Sequence, residues 1–219
     1  MRVIAKVISI IFHPLFVLTY MLWILLVTNP YMFGYSKSSE ADVLVLMVFL
    51  TSAFIPLVAV GLMKGLGWIE SLQMADKQER IGPYIVTGIL YLSLYMHLVK
   101  SNAFPRAFHV ATLGAIIALF VAFFVNNFQK ISIHALAMGG IVSMTVLCKR
   151  YYSGEVFSVT VPGLGSLQLS TMIMLYAVIL IAGLVCTSRL ILKRHSVREV
   201  YAGFIVGFFA QLVAYLALQ

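Results

Sequence analysis

Apolar residues run along this chain in long blocks, separated by short polar breaks, with little of the alternation that marks a half-buried strand. About seven such blocks stand out: Ala5 to Val27, Val43 to Met63, Pro83 to Leu98, Phe108 to Val125, His134 to Leu147, Thr171 to Cys186 and Val200 to Leu218. A run of ~20 apolar residues crosses the hydrocarbon of a bilayer as a helix. Inside lipid the backbone must satisfy its own hydrogen bonds, so helices are expected for these blocks. The alternating pattern of a membrane barrel is absent from them. Asn29-Pro30 and the polar stretch Ser36 to Glu40 close the first block, Asn102 to Pro105 makes a short turn, and Asn126-Asn127 ends the fourth. Pro83 suits a helix start. Pro14 and Pro56 lie inside blocks and predict kinks or irregular turns there. Between Tyr151 and Ser170, two alternating stretches flank Pro162-Gly-Leu-Gly165 and predict a hairpin.

Composition agrees with the pattern. Of 219 residues, 62% are hydrophobic and 10% charged, with mean hydropathy +1.03. A soluble domain needs roughly 25% charged residues to solvate its surface. We therefore expect an all-α integral membrane protein, a bundle of six or seven transmembrane helices forming a single domain over residues 1–219. The N-terminal block is too long for a signal-peptide core and reads as a retained span. The net charge of +8 fits loops lying against lipid headgroups. No polar, basic domain exists to bind nucleic acid. Cys148 and Cys186 make no disulfide framework, and counting crossings puts them at opposite faces.

The same count puts three polar clusters on one face: Asp76-Lys77-Gln-Glu79-Arg80-Ile-Gly82-Pro83, then Lys130-Ile-Ser132-Ile-His134, then Ser188-Arg189 with His195 and Glu199. His195 and Glu199 are spaced i, i+4 and share a helix face. A carboxylate there accepts a proton from one imidazole nitrogen and leaves the other free to attack an electrophile. Arg189 offers a planar fork of donors that suits phosphate oxygens. Lys77, Arg80 and Lys130 add cations, Ser132 a hydroxyl and His134 a second imidazole. This is an inventory for phosphoryl transfer without an obvious metal-ligand set.

Ser188-Arg189-x5-His195-x3-Glu199, followed by Val200-x-Ala202-Gly203, resembles the third signature of the type-2 phosphatidate phosphatase superfamily, S-R-x5-H-x3-D. Ser132-x-His134 resembles the S-x-H of its second signature, P-S-G-H, and the order of clusters is similar too. The resemblance covers roughly residues 77–207. It implies that His195 attacks phosphorus and becomes a phosphohistidine. Glu199 would stand in for the family's aspartate and orient that ring, and His134 would protonate the leaving oxygen. Arg189, Ser132, Arg80 and Lys77 would hold the phosphate. The family needs neither metal nor cofactor for this step. Its implied substrates are lipid phosphates and prenyl diphosphates, such as phosphatidate, phosphatidylglycerol phosphate, lipid A phosphate or undecaprenyl diphosphate. Its commoner placement implies a plasma or inner membrane with an extracytoplasmic site. The chain departs from the pattern in three places. Lys77 and Arg80 are three apart where the first signature has K-x6-R-P, with Gln73 seven before Arg80. Ile131 and Ile133 replace proline and glycine in the second. Glu199 is a methylene longer than aspartate, and Lys130, absent from the quoted pattern, is a candidate for the missing cation.

Plainer readings stand beside these. Lys193 and Arg194 fit a positive flank that sets orientation. Lys77 and Arg80 could pair with Asp76 and Glu79 in a solvated turn. His13, before Pro14, reads as a kink partner or packed core residue. His97 and His109 fall on the opposite face. Gly61-x3-Gly65 and Gly203-x3-Gly207 suit close helix packing, within one chain or between copies of a homo-oligomer. Two rival functions remain: a degenerate relative that binds lipid phosphate without turnover, and a small transporter. The near absence of charge inside the spans speaks against the transporter.

Overall fold

A computed structural model describes residues 1–72, 74, 76–101, 104–161 and 165–219. Gln73, the Asn102-Ala103 part of the expected turn and the Pro162 to Leu164 tip of the expected hairpin lie outside the described residues. Nine α-helices appear in the described residues: α1 (Arg2–Ile11), α2 (Val17–Thr28), α3 (Asp42–Phe49), α4 (Ile55–Gly65), α5 (Ile81–Ser101), α6 (Arg106–Asn126), α7 (Ile133–Leu147), α8 (Thr171–Ile191) and α9 (Val197–Ala217). One antiparallel pair, β1 (Val156–Val161) with β2 (Gly165–Ser170), sits between α7 and α8, as the alternating pattern predicts. Its register runs from Val156 opposite Ser170 to Val161 opposite Gly165.

Six stretches are long and apolar enough to cross a bilayer: Arg2–Thr28, Pro30–Gly65, Gln78–Ser101, Arg106–Asn126, Thr171–Ile191 and Val197–Ala217. The chain is thus a multi-pass all-α membrane bundle. Its outward faces carry large apolar side chains such as Trp23, Phe120, Phe124 and Tyr176, each more than half exposed. Such a surface suits hydrocarbon and not water.

The first two stretches are not simple rods. α1 stops at Ile11, and a 3₁₀ turn over Pro14–Phe16 restarts the chain into α2. Proline has no N–H and a fixed φ, so it cannot continue α1 but suits the first position of a new turn. Between α3 and α4 a π turn covers Leu50–Phe54, just ahead of Pro56. Here the Ser52 hydroxyl donates to the Val48 carbonyl at 2.7 Å and that of Thr51 to Met47 at 2.9 Å, so side chains add hydrogen bonds to carbonyls at the irregular turn. Both prolines therefore mark irregular turns.

The fifth block, α7, is the buried centre. Every residue from Ala135 to Thr145 is buried. The helix has 15 residues, and a π turn over Cys148–Tyr152 prolongs it. It runs parallel to α9. At one end the Ser132 N–H donates to the Glu199 carbonyl at 3.2 Å. At the other, the rings of Tyr151 and Tyr215 stack with centroids 4.7 Å apart. With its π turn, α7 therefore traverses the same depth as α9.

Glycines set the spacing of this pair. A β-carbon on Gly207 would collide with the Leu136 carbonyl, and one on Gly139 with that of Phe204. One on Gly203 would stand 2.5 Å from the Ser132 carbonyl. The Gly203-x3-Gly207 motif thus brings α9 against α7 within the chain. Gly61 and Gly65 meet nothing within 4 Å.

The end of the bundle with Tyr151 also holds the exit of α2. The Asn29 amide donates to the Tyr152 carbonyl at 2.9 Å, and Thr28 Oγ1 lies 3.2 Å from Cys148 Sγ. Arg106, at the start of α6, acts electrostatically on Tyr152. His109, with its ring near that of Tyr95, belongs to this end. Cys186 lies on α8 one turn before Arg189, toward the other end, and both thiols are free.

Candidate functional site

Four connections meet at the end where α7 and α9 begin: the turn before α5, the turn before α7, the α8–α9 connection, and the break between α1 and α2. The sequence assembles this end with local caps. Ser132 caps α7, its Oγ accepting the Ala135 N–H at 3.4 Å, and Ser196 caps α9 by accepting that of Glu199 at 3.4 Å. Two helix N-termini with spare N–H groups therefore open on the same region. Lys193, with φ of 51°, reverses the chain between α8 and α9.

His195 stands just ahead of α9, and its side chain is 6% exposed. Its Nδ1 lies 2.6 Å from Glu199 Oε2. A carboxylate accepts, so Nδ1 carries the proton and Nε2 keeps its lone pair when the ring is neutral. Burial holds the ring below the usual imidazole value of 6.5, the Glu199 hydrogen bond opposes this, and the charges of Arg189 and Arg80 add to the fall.

His134 is the second residue of α7. Its Nε2 lies 3.0 Å from the Ser9 carbonyl of α1, which can only accept. The Nε2 proton is therefore committed to α1, and Nδ1 is the nitrogen left for chemistry. Ile133 is not among the residues with positive φ, so its N–H occupies an ordinary helix-start position.

The cations come from three connections. Arg80 ties the first cluster to the second: its Nε donates to the Met74 carbonyl at 3.0 Å and its Nη1 to that of Ile131 at 3.5 Å. Arg189 lies in the last turn of α8. Its charge reaches His13, His134 and His195, and the charges of Arg80 and Arg194 reach it in turn. Its Nε is buried and has no hydrogen-bond partner among the described residues. An open depression of about 500 Å³ lies beside these groups, lined by Lys130, Leu190, Lys193, Arg194, His195 and Glu199.

The acids of the first cluster do not neutralise this charge. Asp76 accepts the N–H of Gln78 at 3.2 Å, and Glu79 accepts that of Glu70 at 2.7 Å. The alternative of a turn paired within itself is thereby set aside. The ion pair recorded among the described residues is His195 with Glu199. Lys77 is placed apart from the imidazoles: its Nζ donates to the Asn127 carbonyl at 2.9 Å, while the Asn126 amide donates to Lys77's own carbonyl at 2.8 Å. It fastens the turn before α5 to the end of α6.

The structure thus gathers His195, Glu199, His134, Ser132, Arg80 and Arg189, sets Lys130 on the adjoining depression, and holds Lys77 at the margin. It adds two residues that sequence reasoning left out. Arg194, read as an orienting flank, lies on the depression. His13 lies edge-on to His134, ring centroids 5.5 Å apart. The Pro14 signal marked the break but not the direction in which it turns the imidazole. Chemically, the arrangement offers a carboxylate-oriented imidazole with a free nitrogen, a second imidazole, and guanidinium groups without carboxylate partners among the described residues. No group of three or more His, Cys, Asp or Glu among the described residues is arranged to hold a metal ion. No family model, curated protein or solved structure matches this chain.

Proposed function

We propose that this protein is a membrane-embedded phosphatase of lipid phosphates or isoprenoid diphosphates, related to the type-2 phosphatidate phosphatases, working through a phosphohistidine. One observation carries the reading: the His195–Glu199 pair lies within the field of Arg80 and Arg189, and Arg189 has an unpartnered buried Nε. Guanidinium groups that have no carboxylate partner among the described residues suit an anion. A tetrahedral phosphoryl group supplies several oxygens to a cluster of this kind.

In this mechanism His195 Nε2 attacks phosphorus in line while the bond to the leaving oxygen breaks. His134, entering the step as the imidazolium with its second proton on Nδ1, gives that proton to the leaving oxygen and becomes neutral. The arginines hold the equatorial oxygens, whose charge is already present in the ground state and redistributes in the transition state. Water then attacks the phosphohistidine. His134, now neutral, takes a proton from that water, the P–N bond breaks, and orthophosphate leaves with His195 restored. A tailed substrate suits the setting, because the tail can stay in hydrocarbon while its headgroup reaches the cations.

The test is phosphate release from a panel of lipid phosphates and prenyl diphosphates by purified protein in liposomes. His195→Ala should lower turnover at least about a thousandfold, as nucleophile removal does elsewhere. His134→Ala should lower it about 10²- to 10⁴-fold. Both variants should still insert. Near-normal release from His195→Ala would end the histidine mechanism. Binding of lipid phosphate without release by the unaltered protein would identify a degenerate relative.

A further inference from the structure

His13 has no part in the mechanism above, yet it occupies the site. It caps the 3₁₀ turn that follows the break in the first span, its Nδ1 accepting the Leu15 N–H at 3.4 Å. That contact places the proton of the neutral ring on Nε2. Among the described residues Nε2 makes no hydrogen bond, so a donor is left over. The ring is held by its neighbours. It meets His134 edge-on at 5.5 Å and 81°, and Phe16 edge-on at 6.2 Å, while Phe16 stacks on Phe49 at 6.1 Å.

One turn earlier, the Ser9 carbonyl takes the His134 proton. The break between α1 and α2 therefore delivers two groups together: the carbonyl that sets the tautomer of His134, and an imidazole beside it. Arg189 acts on both rings. A helix running unbroken through residues 12 and 13 would carry His13 on around the helix axis, and Pro14 prevents it.

We propose that His13 is a third imidazole of the anion site, its Nε2–H donating to a phosphoryl oxygen that Arg189 also holds. The inference rests on the anion site of the proposed function, but on binding alone and not on turnover. The phosphoryl group would lie between the start of α7 and the broken first span, with His195 approaching from the α9 side. His13 is then a binding residue, and the kink is part of the site.

The test is binding of inorganic orthovanadate, and separately orthophosphate, to the purified full chain in detergent, followed by calorimetry. His13→Phe keeps an aromatic ring against His134 and Phe16 but removes the donor. It should weaken binding about ten- to a hundredfold, the value of a hydrogen bond to a charged group, with its melting temperature close to that of the parent. His13→Gln restores an N–H and should recover part of the loss. Parent-like vanadate affinity in both variants would overturn the role of His13 and leave the anion site standing. A fall in both that merely follows a lowered melting temperature would also overturn it. No binding of either anion to the unaltered protein would overturn the site and this inference together.

Discussion

At His195 a single hydrogen bond decides which nitrogen can react. Glu199 holds the proton of Nδ1 at 2.6 Å, so Nε2 is nucleophilic whenever the ring is neutral. Burial holds this ring below the ordinary 6.5, so it stays neutral to lower pH than an exposed histidine. The acid limb of kcat/KM assigned to His195 should therefore lie below pH 6.5. Glu199→Gln removes an influence that raises the value, which should carry that limb to still lower pH. It should also cost about 10²- to 10⁴-fold in rate, because the imidazolium formed on attack loses its counter-charge. A pH–rate profile of the two proteins checks both statements, and a limb moving to higher pH in Glu199→Gln would contradict them. This pair was legible in the sequence as an i, i+4 spacing, although His195 stands two residues ahead of α9 and not on it. The roles of Asp76 and Glu79 were not: whether an acid pairs with a neighbouring cation or with a backbone N–H depends on loop geometry, which local order does not encode. His13 was read as a kink partner, and it does cap the turn after the break; its place beside His134 was not legible, since a proline announces a break but not the direction in which the chain restarts.

Among the elements, α7 and α9 carry the site between them. Helix limits followed the apolar blocks closely because lipid imposes one length and one backbone solution on each crossing. The irregular turn before Pro56 was announced by its proline, whereas the one after Leu147 was less legible because no proline marks it. The glycines show where packing outweighs propensity. Gly207→Leu would force a side chain into the Leu136 backbone, which cannot yield as a flexible side chain would. It should destabilise the bundle by about 1–3 kcal/mol or more and depress phosphate release. Gly61→Leu, with open space around it, should leave the melting temperature near that of the parent. Thermal melts of both variants in detergent separate these outcomes, and equal melting would refute the packing argument.

For the molecule as a whole, polar chemistry is gathered at one end while apolar side chains cover the flanks. The positive charge of the site comes from arginines that no carboxylate among the described residues neutralises; in the proposed reaction it would take the place a divalent cation holds in other phosphoryl-transfer sites. Phosphate release should accordingly persist in the presence of a strong chelator, and its abolition there would show that a metal is needed after all. The gathering of three distant clusters at one end was legible from the parity of crossings, because each block carries the chain to the opposite face. Which cations face the imidazoles was not, as the marginal place of Lys77 shows.

Gly203 lies directly beneath Ser132, four residues after Glu199, where the backbones of two helices touch. The tool and its handle are thus one piece: whatever pries these rods apart also pulls His195 away from His134. The open flanks have room for a larger side chain, yet at this point of contact even a methyl group is a wedge.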